Sequence, residues 1–153
     1  MGKLVRIWIK RARRGPMDPR DSAALSPGAG LQGNANQGGH RQVTVLEAER
    51  WTEMMSDLGS DLDASARRAN LLVQGISLAD SRGKLLRIGS CMLRILGETR
   101  PCERMDEALP GLRARMSAPW YGGAYGEVVT GGSISVGDEV NWAGASNSAS
   151  AKL

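Results

Sequence analysis

Apolar residues in this chain arrive in short runs closed by glycine, proline or a charged pair, and almost nowhere in a long helical stripe. That pattern restricts the fold more than any other feature. Residues 3–10 alternate, with Val5, Ile7 and Ile9 on one face and Arg6, Trp8 and Lys10 on the other, as a half-buried strand requires. Residues 40–46, 71–73, 84–88, 90–96, 124–130 and 133–136 read as further strands, with Gly131-Gly132 as a two-residue hairpin turn between the last two. Gly137-Asp138 turns the chain once more toward Val140 and Trp142. Helical spacing is confined to Trp51, Met54, Met55 and Leu58 before Gly59, a turn at 63–67, and two short segments carrying Met105 with Leu109 and Leu112 with Met116. Many short strands need partners on both edges. The expectation is a mostly β chain with a few short helices, folded as a closed or partly open β-barrel.

Between Gly15 and Gly39 the sequence turns rich in Gly, Pro, Ser and Asp and reads as one long functional loop. Residues 143–153 are small and polar, without periodicity, and are expected to be disordered, leaving a single domain over 1–142. A chain of 153 residues buries enough surface to need no disulfide or structural metal. Two cysteines with no secretory signal point to a reducing compartment, the cytoplasm, and no apolar run approaches a membrane span. The net charge of +4 is concentrated in Lys10-Arg11-Ala12-Arg13-Arg14. No aromatic residue interleaves there to stack bases, so nucleic acid is not the expected partner. A single histidine, His40, excludes histidine triads and multi-histidine zinc sites.

Chemistry therefore falls on other groups, and Cys102 leads them. It follows Arg100-Pro101 and opens a segment of helical spacing, so it is expected in the first turn of a helix. Free N–H groups there, with Arg100 and Arg104 nearby, favour a thiolate, while Glu103, Asp106 and Glu107 oppose it. Cys91 differs, since it alternates with Leu93 and Ile95 on the inner face of a strand and reads as a small core hydrophobe. Beside Cys102 stand Arg41-Gln42 after the Gly-rich loop, Arg67-Arg68-Ala69-Asn70, and Asn34 with Asn36. Arginines grip phosphate or carboxylate through paired N–H bonds, and carboxamides match the edge of a heterocycle. With a soft thiolate they describe a site for a phosphorylated, heterocyclic metal cofactor.

The order of these motifs, from the Gly-rich loop through Arg41-Gln42-Val43-Thr44, Arg67-Arg68-Ala69-Asn70-Leu71-Leu72, Gly75, Gly89 and Arg100-Pro101-Cys102 to Gly137-Asp138, resembles the MOSC domain family. The family is named from the C-terminal part of molybdenum cofactor sulfurase, and the likeness is to its compact, stand-alone bacterial members. The resemblance implies a β-barrel handling molybdenum cofactor (molybdopterin), with Cys102 as the catalytic residue and metal ligand. It implies that Arg68 and Asn70, with Arg67, hold the pterin or its phosphate, and that Arg41, Gln42 and Asn36 line the same pocket. Many members carry an Asp in the loop where this chain has Asn34 or Asn36, so no carboxylate acid or base is expected there.

The activity implied is molybdenum-dependent reduction of small N-hydroxylated compounds, with electrons from a separate reductase. A second implied role is that of a sulfur carrier or cofactor-handling protein bearing a persulfide on Cys102. Pyridoxal phosphate would then reside in a partner cysteine desulfurase and not in this chain. A third reading is a non-catalytic module that binds an anion or a partner.

Overall fold

The computed structural model describes residues 2–143. In chain order the strands are β1 (Gly2–Lys10), β2 (Met17–Arg20), β3 (Ser22–Ser26), β4 (Gly30–Leu31), β5 (Val43–Glu47), β6 (Leu71–Gln74), β7 (Leu85–Ile88), β8 (Cys91–Glu98), β9 (Ala124–Thr130), β10 (Gly132–Ser135) and β11 (Glu139–Trp142). Three short helices, α1 (Ala48–Leu58), α2 (Glu103–Ala108) and α3 (Leu112–Met116), and a 3-10 turn (Ala64–Arg67) fill the connections. Strands pair in the order β11-β7-β8-β9-β5-β6-β1, and β1 returns to pair with β11 through Gly2↔Val140 and Lys3↔Glu139. The result is a closed seven-stranded barrel, in which β5 and β6 run parallel and every other pair antiparallel. Closure removes the unpaired edges that so many short strands would otherwise present.

Two apolar clusters explain the strand patterns. Leu4, Ile7, Ile9, Val43, Val45, Leu71, Val73, Leu93 and Ile95 fill the barrel. Trp8, Leu46 and Leu72 point the other way and meet Trp51, Met54, Met55, Met105, Leu112 and Met116 of the helical layer. Strands β1, β5 and β6 are thus apolar on both faces, which is why Leu71-Leu72-Val73 reads as an unbroken run. Strand β8 has water outside, and its buried Cys91, Leu93 and Ile95 alternate with partly exposed Met92, Arg94 and Leu96. Helix α1 ends where expected, with Gly59 at φ 62° closing the turn onto Met55 and Ser56 carbonyls.

Several sequence expectations change. A bulge in β1 between Leu4 and Arg6 shifts its register, so Leu4 joins Ile7 and Ile9 inside while Val5 packs on the helical layer. Trp8, expected on a polar face, is 1% exposed beneath the helices. The stretch 15–39 is not one loop, because β2 extends the hairpin from β1 and β3 and β4 form a small sheet with β10. Strand β10 accordingly pairs with β3, through Gly132↔Leu25 to Ser135↔Ser22, and the Gly131-Gly132 hairpin onto β9 does not form. A Cβ at Gly131 would lie 2.6 Å from the Leu25 carbonyl, so the glycine serves a close approach to β3 and not a hairpin turn. Of the expected disordered tail, Ala143 is buried, and residues 144–153 lie outside the described residues. Among the described residues, no helix is long and apolar enough to cross a membrane.

Candidate functional site

One cavity, of about 230 Å³ and open to solvent, gathers the motif residues at the end of the barrel where β1 and β8 stop and β5, β6 and β9 begin. Lys10, Arg41, Arg67, Arg68 and Arg100 line it together with Asn34, Asn36, Thr44, Ala69, Asn70, Thr99, Cys102 and Gly122, so its wall holds five cations and no carboxylate. The structure brings Asn36, Arg41, Arg67, Arg68, Asn70 and Cys102 together around this cavity.

Arg67 sits deepest among the arginines. The 3-10 turn that carries it starts at Asp63, whose carboxylate accepts from Ser65 N at 3.1 Å. From there Arg67 Nε donates to the Gly122 carbonyl at 3.0 Å and Nη2 to the Thr99 carbonyl at 3.3 Å. Gly122 is backed so closely against the Thr99 carbonyl that a Cβ would collide with it, and its own carbonyl also accepts from Thr99 Oγ1 at 2.6 Å. These partners are neutral, and no carboxylate within salt-bridge distance of Arg67 occurs among the described residues. Burial pulls its guanidinium down to about 10, the Cys102 sulfur opposes that fall, and Arg41 adds to it. Keeping the group charged at neutral pH costs on the order of 3 kcal/mol, a cost that a bound anion reverses.

Lys10 repeats the pattern half-buried beside it. Its ammonium is held below the usual lysine range by burial first, and then by Arg68, Arg104, Arg13 and Arg41. Arg68 caps the 3-10 turn with φ 64°, a left-handed conformation that favours Gly or Asn. An arginine there keeps a long cationic arm at the lip of the cavity. Arg41 also lines the cavity and is exposed, 5.1 Å above the Tyr125 ring. Arg100 differs from the others in having an acid partner, Glu98, at 3.4 Å.

Cys102 is exposed and lines the same wall. It is the N-cap of α2 and not a residue of its first turn, and its carbonyl accepts from Met105 N at 3.0 Å. Cys91 is the buried core residue expected, with its thiol pushed up mainly by burial.

Two expected binding residues spend their amides on hydrogen bonds within the fold. Asn70 Oδ1 accepts from Thr44 N and Thr44 Oγ1, both at 3.1 Å, and its Nδ2 donates to the Trp8 carbonyl and to Asn34 Oδ1, both at 3.2 Å. That amide is saturated: it pins β1, β5 and the Gly-rich segment to the start of β6. Gln42 is 3% exposed and outside the cavity, with Nε2 on the Gly39 carbonyl and Oε1 accepting from Val128 N at 2.9 Å. Residue type alone could not reveal that these amides are already spent. The reverse miss is Lys10, assigned to a solvated strand end. Period 2 places it on the face of Trp8, which the sequence reads as polar, so alternation alone carried no signal for it. Thr99 and Gly122 carried no signal beyond the glycine pair at 122–123.

No group of three or more His, Cys, Asp or Glu that could hold a metal occurs among the described residues. A metal at Cys102 would have to bring its other ligands with it. Phosphate-scale negative charge suits the five cations, and a soft metal suits the exposed sulfur, so the residues fit a phosphorylated cofactor that carries its own metal ligands.

The fold has solved relatives. The YuaD protein of Bacillus subtilis superposes with a TM-score of 0.76 at 19% identity, over 92% of this chain and 94% of that one. YiiM from Geobacillus stearothermophilus matches at a TM-score of 0.72 and 16% identity over 93% of this chain and 75% of that one. YiiM from Escherichia coli gives 0.70 and 16% over 92% and 69%. At such identities the likeness concerns the fold alone. Curated protein sequences gave no match. The family model described as MOSC domain matches residues 32–141, which contain most of the barrel and every cavity residue except Lys10, and the chain belongs to the MOSC domain family.

Proposed function

We propose that this protein binds molybdenum cofactor and reduces small N-hydroxylated compounds in the cytoplasm, using electrons from a separate reductase. The observation that carries the reading is an exposed cysteine sulfur on a cavity wall of five cations without a carboxylate. When bound, the cofactor supplies two-electron redox chemistry at a metal, so that an N–OH group, two electrons and two protons give N–H and water.

The chain's own residues have separate tasks in this reading. Arg67 and Lys10 would hold the cofactor's phosphate through charge-assisted hydrogen bonds. Cys102 would supply one sulfur ligand to its metal. Arg41 and Arg68 flank the entrance, and the Asn36 carboxamide offers a donor and an acceptor to a heterocycle. Asn70 and Gln42 keep the wall in place and touch no ligand. Loaded protein given reduced methyl viologen and an aryl hydroxylamine is expected to form the amine, and a Cys102→Ala variant is expected to form none. Absence of turnover by loaded wild-type protein would contradict the reading.

A second reading rests on the exposure of Cys102 beside Arg67. An anionic persulfide on that sulfur would be stabilised by the same cations. Incubation with a pyridoxal phosphate-dependent cysteine desulfurase and free cysteine would then add about 32 Da to Cys102, read by mass spectrometry. No adduct on Cys102 argues against it.

A further inference from the structure

The hairpin joining β1 and β2 carries Arg11-Ala12-Arg13-Arg14-Gly15-Pro16 at its tip. Arg11 is paired with Asp18 at 2.5 Å. Arg13 and Arg14 are exposed and join no ion pair among the described residues. This tip stands at the cavity lip, since Arg68 Nη2 donates to the Arg13 carbonyl at 3.5 Å and Ala35 N donates to the Lys10 carbonyl at 2.6 Å. Arg104, on α2 two residues beyond Cys102, is likewise exposed and unpaired among the described residues. Arg41 and Arg68 line the cavity, Arg13 accepts from Arg68 through its carbonyl, and Arg104 shares a second groove with Arg68, so these cations form one arc at the mouth, and their charges act together on Lys10.

The cavity does not explain the arc. Arg13, Arg14 and Arg104 are absent from its lining, and a ligand that fills about 230 Å³ would leave them unsatisfied. Uncompensated like charges repel one another, and their unneutralised field attracts anions from a distance. Glu103, Asp106 and Glu107 accompany Arg104 on α2, so the excess positive charge outside the cavity is carried by the hairpin tip. No aromatic residue stands in the tip to stack a base, which disfavours single-stranded nucleic acid.

We propose that the β1–β2 hairpin tip and the basic lip of the cavity are the docking surface for an acidic face of the protein that delivers electrons. The inference rests on the reductase reading above and names the partner's surface chemistry. Docking there would centre the donor on the mouth that opens to Cys102. Rim charges of this kind govern association rate and salt dependence more than intrinsic affinity.

The probe is an acidic [2Fe–2S] ferredoxin. Its binding to the full chain is measured by calorimetry between about 50 and 200 mM salt, the range in which surface charges become screened. Wild-type protein should bind with affinity that falls steeply as salt rises. Arg13→Glu combined with Arg14→Glu should weaken binding by about tenfold or more at low salt and flatten the salt dependence, while the double lysine variant should retain both. With cofactor-loaded protein, the glutamate variant should lose rate with ferredoxin and keep its rate with methyl viologen. Equal ferredoxin binding by wild type and the glutamate variant would overturn the proposal. So would salt-dependent binding of a single-stranded DNA oligonucleotide with no binding of ferredoxin. Charge-dependent ferredoxin binding by a protein that takes up no molybdenum would support the surface and contradict the cofactor reading, so the two failures are distinguishable.

Discussion

Two groups of arginines in this molecule use the same side chain and end in opposite electrostatic states. On the helical layer, Arg50 and Arg115 enclose the Tyr121 ring at 4.7 and 4.8 Å. Glu53 accepts from Arg50 at 3.1 Å, Arg115 at 3.0 Å and the Tyr121 hydroxyl at 2.8 Å, and Asp57 accepts from Arg115 at 2.6 Å. Each member stabilises the charge of the next. Arg50 is pushed up by its bond to Glu53, Arg115 by its bond to Asp57, and the Glu53 carboxyl is pulled down by Tyr121 and Arg50. At the cavity the shifts reverse, with Arg67 lowered to about 10 and Lys10 lowered as well, both chiefly by burial. Cations that bring their own carboxylates complete a surface and do nothing more. Cations buried without them are stable only by virtue of the surrounding fold, and they gain most when an anion arrives.

The comparison breaks most visibly at the scaffold between the charges. Asn70→Ala removes four hydrogen bonds and leaves the Trp8 carbonyl and Thr44 N without that partner. A loss of about 3 kcal/mol in urea unfolding is expected, because buried polar groups left unsatisfied carry the full desolvation penalty. Arg67→Met comes next. Sulfate binding to the cofactor-free chain, read by calorimetry, should weaken by roughly ten- to a hundredfold, while stability changes by less than about 1 kcal/mol, since an uncompensated buried charge disappears with the contacts.

A gentler test uses pH. The folded-state values of Arg67 and Lys10 lie below their unfolded ones, so their burial opposes folding at neutral pH, and that opposition is relieved as each loses its proton. Sulfate keeps its charge throughout, so its affinity should hold near neutrality and fall as pH rises through about 10, the value to which burial lowers Arg67. The smallest effect belongs to the closed network. Glu53→Gln should lower the urea midpoint modestly and leave sulfate affinity unchanged, because none of its partners lines the cavity. If sulfate affinity moved with Glu53 and not with Arg67, the contrast between the two clusters would be wrong.

How much of this was legible in the sequence depended on whether the signal was local. Periodicity placed Cys91, Leu93 and Ile95 in the core, because a strand's inward face repeats every second residue whatever it pairs with. Pairing is another matter. Residues 133–136 sit beside β9 in sequence yet pair with β3, a choice made by strands more than a hundred residues apart in the chain. The bulge in β1 is equally silent, since Val5 satisfies either apolar cluster. At the site, residue chemistry singled out Arg41, Arg67, Arg68 and Cys102, and the fold brings all four to one cavity. The hydrogen bonds that Asn70 and Gln42 make within the fold were not legible, because a carboxamide serves a ligand or a backbone equally well and only the folded partners decide.

The most direct test of the central claim is the molybdenum-to-protein ratio of the chain purified from a host that makes the cofactor, measured by mass spectrometry of the metal alongside a Cys102→Ala variant. The account predicts about one molybdenum per wild-type chain and a large loss in the variant, with both proteins equally folded. Wild-type protein free of molybdenum, or a variant that retains it in full, would contradict the account.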